Sequence, residues 1–146
     1  MIFKFEPIYQ ERVWGGNMLS KHLGREIPNH LKIGESWDIV DRENLSSKVS
    51  NHPEGKFSLR ELIERFHENI LGPQWNKNRK FPILIKWLDC SERLSLQVHP
   101  PTKIAKSING EPKTENWYIA YATDEAAIFA GLRKGTTRAE FEKAIK

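Results

Sequence analysis

The chain has 146 residues, 38% of them apolar and 29% charged, with a formal net charge of +4. That length can bury a core without disulfides or a structural metal, and one cysteine, Cys90, excludes an internal disulfide framework. Basic residues are interleaved with acidic ones, as in "RELIER", and no run of five or more like charges occurs, which argues against a nucleic-acid surface; phosphate on a small molecule suits the charge equally well.

No apolar run approaches the roughly 20 residues needed to cross a bilayer, so no membrane partner is expected. The N-terminus carries no charged-then-apolar leader, and a reducing, cytoplasmic setting follows by default. Oligomeric state is not legible. No linker or internal repeat divides the chain, which reads as one stretch, 1–146, without an internal boundary.

Along the chain, "IFKFEPIY" alternates apolar and polar positions and predicts a strand. "RVWGGNMLSKHLG" predicts a Gly-Gly turn beneath the Trp14 anchor, then a short helix that Gly24 ends. "GESWDIV" predicts a second strand facing a cavity, and "NHPEGKFS" a loop. "SLRELIERFHENILG" is the clearest helix: Ser58 and Glu61 form a capping box, and Leu59, Leu62, Ile63, Phe66 and Ile70 share a face. His67 falls toward the polar side and is expected in solvent.

"FPILIKWLD" and "LSLQVH", joined by the polar "CSER", predict a β-hairpin. Lys86 interrupts the first of these apolar runs. It is costly to bury unpaired, so it either reaches a cavity carboxylate or an anionic substrate, or lies at an edge. "NWYIAYA" and "AAIFAGL" also read as strands. The expected fold is therefore mainly β with a few helices, an antiparallel sandwich or barrel rather than a parallel α/β sheet. "TTRAEFEKAIK" predicts a last helix capped by Thr137 and Glu140. It stops after about two to three turns and is marginal without packing, so the sequence reads as cut there.

Chemistry concentrates between Gln97 and Glu115. In a strand over "LSLQVH", Leu94, Leu96 and Val98 face one side and Ser95, Gln97 and His99 the other. Gln97 and His99 then project together with α-carbons roughly 7 Å apart. Glu115, at the head of "NWYIAYA", can add an oxygen ligand. An imidazole, a carboxylate and an amide oxygen suit zinc best, with manganese or iron as alternatives. The absence of thiolate from the set argues against a purely structural zinc.

"RVWGGNML", "IGESWDIV", "FPILIKWLD" with "LSLQVHPP", and "GEPKTENWYIA" occur in the order and approximate spacing of the type I mannose-6-phosphate isomerases, the cupin-fold zinc enzymes that this chain resembles. The resemblance implies a cupin or jelly-roll-like antiparallel sandwich, incomplete at the C-terminus. It also implies aldose-ketose isomerisation between mannose 6-phosphate and fructose 6-phosphate, a phosphorylated hexose substrate and one Zn2+ per chain.

Motif by motif, Gln97, His99 and Glu115 match three metal ligands. Lys113 matches a catalytic lysine that either transfers a proton or stabilises the enediolate. The family's fourth ligand, a second histidine, and its substrate-facing arginine are not found here: no histidine follows His99, and His22, His30, His52 and His67 lie in the wrong contexts. Where many relatives carry an acidic pair after "HP" and a cysteine after "TE", this chain has Pro101, Thr102 and Asn116. Lys86, Trp14 and Glu35 are candidate substrate-binding residues. Such a piece is expected to bind zinc weakly and to turn over poorly. The alternative is a non-catalytic cupin-like sugar-binding or regulatory module complete at this length.

Overall fold

The computed structural model describes residues 2–146, and the chain divides into two compact units, Met1–Leu96 and Gln97–Lys146. The division falls inside "LSLQVH", where the sequence offers no boundary signal. It lies where backbone pairing ends rather than where composition changes.

The first unit is built on a three-stranded antiparallel sheet in the order β1-β2-β7, with β1 at Ile8–Gly16, β2 at Ile33–Ile39 and β7 at Ile85–Leu88. The expected first strand thus starts later than read, although Phe5 makes an isolated bridge to Val49. Gly15 and Gly16 lie in β1 and not in a turn. The reason is a close approach: a Cβ on Gly15 would sit 2.7 Å from the backbone of Lys32, Ile33 and Gly34. Gly34 is small for the same kind of reason, because its Cβ would lie 2.6 Å from the Trp14 ring and the Arg12 side chain. These two glycines let β1 and β2 close over the buried Trp14.

Helix α1 (Met18–Leu23) follows as expected, and Gly24 ends it in the left-handed region at φ 62°. Leu19, its buried residue, donates its backbone N–H to the buried Asp89 carboxylate at 3.0 Å. Two short ribbons come next, β3 (Asp41–Arg42) with β4 (Leu45–Ser46) and β5 (Lys48–Val49) with β6 (Phe57–Ser58).

Helix α2 (Leu59–Leu71) carries the capping box read from the sequence, with Ser58 and Glu61 each bonding the other's backbone N–H, and it stops at Gly72. Leu62 packs with Val49 and Phe57, and Phe66 and Ile70 pack against that cluster. Phe66 leaves helical geometry (φ −129°, ψ 21°). This break turns the last part of the helix, and His67 departs from its expected place in solvent. It is half-buried, with Nδ1 enclosed and without a hydrogen-bond partner among the described residues.

The expected hairpin between "FPILIKWLD" and "LSLQVH" does not form. β7 pairs with β2, and the "CSER" stretch returns to β1: Cys90 bridges Gly15, and Ser91 donates its N–H and Oγ–H to the Trp14 carbonyl at 2.9 and 3.1 Å. Residues 94–99, 116–122 and 126–132 lie in no strand ladder. Leu96 and Val98, expected together on one side of a strand, are exposed, as are Trp117, Tyr118, Ile119 and Phe129. Alternation assigns a face only when a neighbouring strand supplies hydrogen bonds and a second layer covers one side, and the described residues supply neither there.

In the second unit, "HPP" leads into a short helix that the sequence did not signal, α3 (Thr102–Ala105), extended by a 3-10 turn at Lys106–Ile108. Asn109 closes it in the left-handed region at φ 49°, and Gly110 donates its N–H to the Ala105 carbonyl at 2.8 Å. The last helix, α4 (Arg138–Ala144), has the predicted Thr137–Glu140 capping box.

Candidate functional site

Each unit brings candidate residues into a cluster of charged side chains. In the first, Glu35 and Trp37 are two apart on β2 and so share a face. Lys86 on β7 lies opposite Trp37 in the register, within diagonal reach of Glu35. Lys86 Nζ donates to Glu35 Oε1 at 2.9 Å, Arg12 Nη2 to Oε2 at 2.6 Å, and Trp37 Nε1 to Oε2 at 3.2 Å.

Glu35 is only 5% exposed. Burial pushes its pKa up, but the Lys86 ammonium, the Arg12 guanidinium and the Trp37 N–H outweigh that and hold it below the ordinary glutamate value. Lys86 thus reaches a buried carboxylate, that of Glu35, from β7, an edge strand of the sheet. Trp14 is 7% exposed, so in this chain it is a packing residue beneath β2. Arg12 was not singled out in the sequence, because its partner is 23 residues away and nothing local marks the pair.

In the second unit one pair of predicted residues meets, Lys113 with Glu115, while His99 meets a backbone carbonyl. Lys113 and Glu115, two apart in a segment outside any helix or ladder, turn to the same side, and Lys113 Nζ lies 3.1 Å from Glu115 Oε1. Their side chains are 28% and 32% exposed. His99 Nδ1 lies 3.3 Å from the Glu111 carbonyl oxygen. A carbonyl only accepts, so this contact is a hydrogen bond in the tautomer with the proton on Nδ1, which leaves the lone pair on Nε2. A histidine whose far nitrogen is anchored to a backbone carbonyl is the usual arrangement of a metal ligand. Gln97 stands two residues before His99 on the exposed segment.

Among the described residues no group of three or more His, Cys, Asp and Glu is close enough to hold a metal ion. The expected set contains only two residues of those types, His99 and Glu115, with Gln97 as the amide. The donor chemistry of the three fits a borderline cation such as zinc: an imidazole, a carboxylate held by a cation, and a neutral amide oxygen.

The family profile of the type I phosphomannose isomerase catalytic domain matches residues 2–129. The chain belongs to that family. It is 38% identical over 144 residues to the mannose-6-phosphate isomerase ManA of Bacillus subtilis (strain 168), covering 97% of this chain and 44% of the relative. It is 37% identical over 143 residues to the probable mannose-6-phosphate isomerase GmuF of the same organism, with the same coverage. The chain therefore spans less than half the length of these phosphomannose isomerases.

Among solved structures, the mannose 6-phosphate isomerase from Bacillus subtilis superposes with a TM-score of 0.62 at 33% identity, over 73% of this chain and 33% of that one. A mannose 6-phosphate isomerase bound with zinc and yttrium superposes with a TM-score of 0.57 at 28% identity, over 73% of this chain and 28% of that one. The fold class read from the sequence, antiparallel β of the cupin kind with a few helices, agrees with these phosphomannose isomerase relatives and with the sheets observed.

Proposed function

We propose that this chain carries part of the active site of a zinc-dependent aldose-ketose isomerase that interconverts mannose 6-phosphate and fructose 6-phosphate. The observation that carries the reading is the Lys113–Glu115 ion pair, in the same compact unit as His99, whose Nδ1 lies against the Glu111 carbonyl. Gln97, His99 and Glu115 would hold the metal. Zinc, when bound, supplies Lewis-acid stabilisation of the oxyanion that develops between C1 and C2 of the open-chain sugar.

The rest of the chemistry falls to the chain's own groups. Isomerisation moves a proton between adjacent carbons through an enediol, which requires an acid/base group within hydrogen-bond reach of them. Lys113 is assigned that role, or the stabilisation of the enediolate by its ammonium. In the first unit, two cations against one carboxylate leave the Arg12–Glu35–Lys86 cluster with a net positive charge. That charge supports Lys86 as the group that meets the phosphorylated substrate, with Glu35 setting its position and Trp14 supporting the strand beneath. No helix of the described residues is long and apolar enough to cross a membrane, and a cytoplasmic setting is part of the proposal.

The test is exchange of solvent deuterium into fructose 6-phosphate by the purified chain with zinc, a partial reaction that is detectable when net turnover is slow. Slow incorporation that falls by about 10²-fold or more in Lys113→Met is expected for a lost acid/base group, and His99→Ala should abolish it. Binding of the sugar phosphate that is indifferent to zinc, with no incorporation, would overturn the isomerase reading in favour of a sugar-binding module.

A further inference from the structure

We infer that Lys113 is also a positioning residue for the metal ligand Glu115, and that residues 111–115 act as one strap that orients two ligands at once. This deepens the isomerase reading above and rests on it. The strap holds His99 through a backbone atom, the Glu111 carbonyl 3.3 Å from Nδ1. It holds Glu115 through a side chain, the Lys113 ammonium 3.1 Å from Oε1. Pro112, between these two anchors, has a fixed φ, which limits how far one anchor moves relative to the other. Gly110, just before the strap, sits where a Cβ would lie 2.6 Å from Pro100 Cγ, so the strap's entry packs against the residue that follows His99.

A carboxylate offers several lone-pair directions, and an ammonium bound at one oxygen fixes the plane in which the others point. Hydrogen-bonded partners of this kind orient metal ligands, and their loss typically weakens metal affinity by about 10- to 100-fold. The charge of Lys113 acts in the opposite sense. An ammonium beside a dication repels it, so deleting the charge at unchanged geometry tightens metal binding. Positioning and simple repulsion therefore predict opposite signs for the same substitution.

The experiment is zinc binding to the full 146-residue chain, measured by competition with a chromophoric chelator and needing no catalytic turnover. Lys113→Met is expected to weaken zinc binding about tenfold or more, and Lys113→Arg, which keeps a donor on the carboxylate, to stay much nearer the parent value. With Co2+ in place of zinc, the visible absorption of Lys113→Met should change shape while that of Lys113→Arg should not. Zinc binding in Lys113→Met that equals or exceeds the parent's overturns the positioning role while leaving the metal site standing. Zinc binding that survives His99→Ala undiminished shows that the metal reading itself has failed, and the positioning role with it.

Discussion

Glu35 is a single carboxylate that ties three strands together: it stands on β2 and takes donors from Arg12 on β1, Lys86 on β7 and Trp37 beside it. Removing one member of such a buried set leaves charges without a partner, which costs about 3–5 kcal/mol when burial is deep. Arg12 is the more exposed of the two cations, so Glu35→Ala should destabilise the chain by about 3 kcal/mol at neutral pH, read as a lower urea midpoint. Glu35 also has a pH signature. Its folded pKa lies below the unfolded value, so its contribution is fully present above the ordinary glutamate pKa and is lost as pH falls through the lowered folded value. Glu35→Gln, compared with the parent from pH 7 down to pH 3, should therefore show a shallower loss of stability with acid. Parallel profiles would mean that the carboxylate is not held as its three partners imply. Half of this cluster was legible beforehand, because a lysine in an apolar run demands a partner. That the partner is Glu35, with Arg12 sharing it, depends on strand order and register, which no local pattern encodes.

At the scale of elements, the segments read correctly are those whose signals are local. The capping boxes at Ser58–Glu61 and Thr137–Glu140 and the left-handed Gly24 each need only four or five consecutive residues to satisfy their own backbone groups. Ser58→Ala should cost about 1 kcal/mol, because the Glu61 N–H loses its acceptor; an unchanged thermal midpoint would contradict this. Helix α2 has a second tie that the sequence did not announce. Arg60 is paired with the buried Asp41 and donates to the carbonyls of Lys77 and Arg79, each at 3.0 Å, while Asp41 also accepts from Phe81 N–H at 2.7 Å. Together they fix the loop between α2 and β7. The strands expected at 94–99, 116–122 and 126–132, which form no ladder, rest on local apolar patterning alone. Alternation specifies a face, whereas a ladder also needs a partner strand, and that requirement is non-local. The same limit applies at the candidate metal site. Gln97, His99, Lys113 and Glu115 could be named from their motifs, while the Glu111 carbonyl that orients His99 is a backbone atom and invisible in any motif.

At the scale of the whole molecule, the two units differ in how their backbones are satisfied, and the difference is measurable. The first has an antiparallel sheet, two ribbons and a capped thirteen-residue helix over a buried cluster. The second has two short helices and a 3-10 turn, with 111–132 in neither helix nor ladder and Tyr118 88% exposed. Amides in ladders and packed helices exchange only when their unit opens, whereas extended segments outside them exchange by local motion of much lower free energy. Hydrogen exchange should therefore show slow amides in β2 and the first half of α2 and fast ones across 111–132. Zinc gives this prediction a second arm. If Gln97, His99 and Glu115 hold the ion, zinc should slow exchange at 97–99 and 111–115 by mass action on the closed form, leaving β2 unchanged. Protection gained in β2 and α2 instead would place the ion in the first unit, and would remove residues 111–115 from the metal site.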